Sequence, residues 1–187
     1  MLTEFAVIAL IAALTPVAQT AAASSDSAPG FRDYQVSGIF QGQPAPPVLA
    51  TDEQRRYRTR IRNGVLKGEG VWNGSWKNPI KPSGPNFAGH YLVIRWGCGS
   101  NCLMMAIVDA RTGKVYNPPL SGAGTELYVP MDMLGDREIE FELRSSLMIL
   151  RNACKAARSE CGVYYFNWRD NRFILVKRKL IDLTQKQ

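Results

Sequence analysis

The chain has 187 residues, 45% of them hydrophobic and 21% charged, with a formal net charge of +7, which suits a single domain with a real core. One histidine and four cysteines leave little material for a zinc centre. The chain also lacks a glycine-rich phosphate loop ending in Lys-Ser or Lys-Thr, a Gly-x-Ser-x-Gly elbow and an Asp-rich calcium loop, so no cofactor or metal is expected.

Residues 5–14, "FAVIALIAAL", form an apolar run too short for a permanent membrane span. A small-residue tract follows, and its Ala21-x-Ala23 spacing suits cleavage before Ser24. Residues 1–23 therefore read as a signal peptide, although "MLTE" supplies Glu4 and no basic residue. Cleavage would remove that one acid and make the mature chain more basic still. Ser24 to Gly30, "SSDSAPG", reads as a disordered leader, and residues 31–187 as one β-rich domain without a transmembrane helix. The expected location is periplasmic or secreted. There the positive charge favours an unknown protein or an anionic envelope component as partner, and nucleic acid is set aside.

"FRDYQVSGIF" alternates enough to predict a first strand from Phe31. Pro44, Pro46 and Pro47 then exclude regular structure. Residues 51–64, "TDEQRRYRTRIRNG", carry helix punctuation: Thr51 as cap, Asp52 and Glu53 in the first turn, arginines towards the end, and Gly64 as the stop. Arg58, Arg60 and Arg62 are candidate contacts for an anion. Their spacing of two distributes them around a helix, which equally fits a solvated surface. The glycine- and proline-rich stretch 64–89 contains Trp72 and Trp76, either a ligand-stacking surface or a lid buried on the core.

"HYLVIRW" predicts a strand with His90, Leu92, Ile94 and Trp96 on one face and Tyr91, Val93 and Arg95 on the other. "GCGSN" is turn chemistry, and "CLMMAIVDA" is apolar enough to be a return strand buried on both faces. "EIEFELR" alternates strictly and predicts a half-buried antiparallel strand from Glu138 to Arg144. "SLMILRN", "GVYYFNW" and "RFILVKRKLIDL" complete the set. The fold class is thus α+β: mainly antiparallel hairpins with one N-terminal helix.

Four cysteines allow three pairings. Cys98 with Cys102 and Cys154 with Cys161 are favoured because each pair brackets a loop between adjacent strands; crossed pairings stay open. In an oxidising compartment an even count reads as disulfides that staple the fold. The competing reading makes Cys98 a thiolate nucleophile and His90 its base, giving a Cys/His hydrolase or redox enzyme. The Cys-x-x-x-Cys spacing departs from that of thioredoxin-like centres, and eight residues of strand separate the two groups. His90 and Trp96 are also candidate binding residues, and no catalytic residue is favoured.

The combination of "PNFAGHY", "WGCGSNC", "AIVDARTGKVY" and "CGVYYFNW" resembles a family of small, uncharacterised exported bacterial proteins marked by NFAGHY and WGCGxxC. That resemblance implies a bacterial source and an envelope location and carries no reaction with it. The expected role is binding or interaction, inhibitor-like or immunity-like.

Overall fold

The structure is a computed structural model, and it describes residues 27–71, 84–99, 102–121, 126–129, 139–155 and 160–180. The signal-like segment and both Trp72 and Trp76 lie outside the described residues.

Two four-stranded antiparallel sheets stack face to face. The first contains β1 (Tyr91–Gly99), β2 (Cys102–Asp109), β3 (Val115–Tyr116) and β4 (Tyr128–Val129). Its central strand β2 pairs with β1 on one side and with both short strands on the other. The second sheet runs in the order β5 (Ile139–Phe141), β6 (Leu147–Lys155), β7 (Glu160–Arg169), β8 (Arg172–Leu180).

The expected alternation along β1 holds, and both of its faces are buried. Tyr91 and Val93, with Met105 and Ile107 of β2, meet Ile139, Met148, Leu150, Tyr164, Phe166 and Trp168 between the sheets. Leu92, Ile94 and Trp96, with Met104, Ala106 and Val108, face Ile61 and Val65 of the helical layer. An apolar β2 is therefore required on both sides.

The helical layer differs from expectation. Instead of one helix there are two short ones, α1 (Asp52–Arg56) and α2 (Arg58–Lys67), broken at Tyr57, whose φ −97° and ψ 19° are not helical. The molecule is accordingly predominantly β. Thr51 does cap α1, its hydroxyl accepting the Gln54 N–H at 3.2 Å. Gly64 does not stop the helix. It lies buried inside α2 against the Ile94 side chain, where a Cβ would collide, and the stop is Gly68 in the left-handed conformation.

Two predicted strands are also revised. Phe31–Tyr34 forms a 3₁₀ turn, closed by the Gly30 N–H donating to the Asp33 carboxylate at 2.9 Å. The three-residue spacing puts Phe31 and Tyr34 together over Leu147, Ile149 and Tyr165 on the outer face of the second sheet. The Glu138–Arg144 segment is a strand only over Ile139–Phe141; Glu138 lies outside the described residues. Beyond Phe141 the Leu143 and Arg144 carbonyls accept from Gly89 and Val36, so they are committed to a different part of the chain.

Candidate functional site

The segment Asn86–Tyr91 builds a clasp between the sheets. Phe87 and Tyr91 exchange backbone hydrogen bonds of 3.0 and 2.9 Å around Ala88 and Gly89, whose φ values are +44° and +79°. Gly89 is required there, since its backbone takes a left-handed turn close to the Gly38 carbonyl. Ala88 and Gly89 donate to Ser145 and Leu143 on the approach to β6, while the Gly89 carbonyl accepts from Phe40. Asn86, buried, presents its side-chain oxygen to the Val93 N–H at 2.7 Å and its amide to the Val93 carbonyl at 3.3 Å. It takes the place of a neighbouring strand.

This clasp opens one side of a cleft of about 510 Å³ where the two sheets end. Three turns meet there. The first brings His90; the β2–β3 turn brings Arg111; the β7–β8 turn brings Asp170 and Asn171. Tyr91 and Trp168 form the floor, their rings 5.1 Å apart and edge to face. The Tyr91 hydroxyl donates to Asn171 Oδ1 at 2.9 Å, locking the β7–β8 turn to the start of β1. Asp170 and Asn171 have φ of +53° and +59°, as a two-residue hairpin turn of the primed type demands. A second hollow of about 490 Å³, lined by Tyr116, Pro119 and Phe173, adjoins it across Trp168 and Asn171.

The cleft's electrostatics follow from burial. His90, its ring 4.1 Å from that of Tyr91, has its pKa lowered by desolvation and then by the Arg111 charge, with Asp109 acting against both. Burial pushes the Tyr91 hydroxyl up. The cleft therefore offers a neutral imidazole, a protonated phenol and the Arg111 guanidinium, together with the Asp170 carboxylate, which lies 3.6 Å from Arg169 Nε. Asp109 is committed to its turn, accepting the Arg111 N–H at 2.8 Å and the Thr112 hydroxyl at 2.9 Å. Such a set can hydrogen-bond and neutralise an anionic group.

The cysteines are elsewhere. Cys98 is bonded to Cys102 and Cys154 to Cys161, with Cα separations of 5.1 and 4.0 Å, and none is free. Each bond closes its hairpin at the end away from the cleft: β1 leaves His90 and ends past Cys98, and β7 begins near Cys161 and ends past Trp168. His90 and Cys98 are thus not brought together. Arg58, Arg60 and Arg62 are exposed on α2, and none of them lines the cleft. Trp96 is used in packing, 8% exposed and 5.5 Å from the Tyr57 ring. Of the candidate binding residues that the structure describes, only His90 reaches the cleft.

In the sequence Arg111, Asp170 and Asn171 stand in "ARTGK" and "RDN", segments of ordinary turn composition. Nothing in their local pattern announces that the turns converge. Among the described residues no group of three or more His, Cys, Asp or Glu is placed to hold a metal ion, and no helix is long and apolar enough to cross a membrane. No family model, curated protein or solved structure matches the chain.

Proposed function

We propose that this is an exported, periplasmic binding protein that engages an anionic envelope component or the anionic surface of a protein through the cleft between its sheets. The observation that carries this reading is the division of labour along the hairpins. Every cysteine is closed into a disulfide at one end, while the sole histidine, Arg111, Asp170 and Asn171 gather at the other. Two disulfides favour an oxidising compartment, in keeping with the signal-like start and with the resemblance to small exported bacterial proteins.

The test is an amide NMR titration of the isotope-labelled protein with soluble anionic glycans, anionic phospholipid micelles and, last, proteins of a bacterial periplasmic extract. Shifts should centre on His90, Arg111 and Asn171, disappear in Arg111→Glu, and persist when Cys98 and Cys102 are both replaced by serine. Shifts that ignore Arg111→Glu, or a turnover that requires Cys98, would overturn the reading.

A further inference from the structure

Two edges of the stacked sheets, those of β1 and β8, are treated differently by the fold. The outer edge of β1 is consumed: the Tyr91, Val93 and Arg95 N–H groups donate to the Phe87 carbonyl, Asn86 Oδ1 and the Gly70 carbonyl. The nine-residue β8 ends its sheet, and no strand among the described residues pairs with its outer edge.

The β8 side chains are sorted by face. Phe173, Leu175, Arg178 and Leu180 stand opposite Trp168, Phe166, Tyr164 and Gly162, on the face towards the first sheet. Arg172, Ile174, Lys177 and Lys179 stand on the other, opposite Arg169, Asn167, Tyr165 and Val163. Ile174, Leu175, Val176 and Leu180 are 38, 47, 42 and 45% exposed, unusual for a row of such side chains on one strand. No acidic residue occurs in β8, and its one ion pair across to β7 joins Arg178 to Glu160 at 2.8 Å. Lys177 donates to the Ser27 carbonyl at 3.2 Å.

The two-residue turn makes Arg169 and Arg172 the hydrogen-bonded pair nearest the turn, so Phe173 and Leu175 direct their backbone N–H and C=O outward. The Trp168 N–H, which donates to Ser146 on the β6 side, fits this phase. We propose that this edge receives an extended acidic segment of a partner protein as an added strand. Apolar residues of that segment lie beside Leu175 and Leu180, and alternate carboxylates lie beside Arg172 and Lys179. The cationic face disfavours a second copy of the chain as occupant, because antiparallel self-pairing would bring like charges together. The inference does not depend on what fills the cleft.

The probe is a synthetic peptide of alternating valine and glutamate, about ten residues long to match a strand of this length, read by fluorescence anisotropy against the whole chain. Binding is expected. It should weaken about tenfold in Leu175→Pro, which removes an outward donor and leaves the β7 ladder intact. It should weaken in Lys179→Glu as well, a variant that keeps the strand if the proline proves disruptive. A peptide N-methylated at alternate residues should not bind. Equal affinity for the methylated peptide would reduce the interaction to ionic adsorption and overturn the proposal. So would absence of binding, or sedimentation showing a β8-dependent dimer.

Discussion

The edges of β1 and β8 pose the same physical problem, a row of backbone donors and acceptors at the side of a sheet, and the molecule answers it once. At β1 a buried asparagine, a glycine carbonyl and the Phe87–Tyr91 turn occupy the outward positions. At β8 no strand among the described residues covers the row, which is flanked by arginine, lysine and exposed aliphatic side chains. A blocked edge belongs to the core; an open cationic one is spaced for company. The clasp that blocks β1 also ties the sheets together, through the Ala88 and Gly89 N–H groups on the Ser145 and Leu143 carbonyls.

Removing that tie should have the largest effect. Phe87 is fully buried and packs against Phe141, Trp168 and Phe173 of the second sheet. Phe87→Ala should cost about 3–5 kcal/mol, read as a lowered denaturant midpoint with the sheets losing cooperativity. Replacing Cys154 and Cys161 together by serine should cost about 2–3 kcal/mol by the loop-entropy argument, and the shorter 98–102 loop somewhat less. Both variants should leave cleft binding in place once folded. Asn86→Ala sharpens the comparison directly, because it makes the β1 edge resemble that of β8. Stranding the buried Val93 N–H should cost about 1–3 kcal/mol, and the Val93 amide should lose hydrogen-exchange protection while those of β8 are unchanged.

The smallest effect is a pH dependence. With its pKa lowered in the folded state, chiefly by burial and then by Arg111, His90 binds a proton less readily there than in the unfolded chain. Its contribution to stability is therefore present above the ordinary value of 6.5 and is lost as pH falls through the lowered folded value. NMR titration of the single histidine should show that lowered value, and Arg111→Gln should move it back up. A His90 titrating above 6.5 would contradict the burial seen in the cleft.

How much of this was legible depended on whether the signal was local. β1 and β2 were readable because alternation and a continuous apolar run are properties of consecutive residues, and the disulfide pairs because each brackets one turn. Gly64 was misread as a helix stop because its reason is a neighbour thirty residues away, Ile94. Phe31–Tyr34 was misread because two aromatics that cover a sheet at a spacing of three look, in a short window, like a ragged strand. His90 stands out by its chemistry, whereas Arg111 and Asn171, in the turns "ARTGK" and "RDN", carry no local mark of the cleft. Topology, which no local window contains, brings those turns to one end.

On the proposed reading the cysteines form a scaffold, and binding falls to the cleft and the β8 edge. It is tested most directly by intact mass after alkylation, with and without reduction, on protein purified without added reductant. No alkylated cysteine is expected before reduction, and all four are expected afterwards. Alkylation at Cys98 in the unreduced protein would contradict it and restore a thiol to the list of working groups.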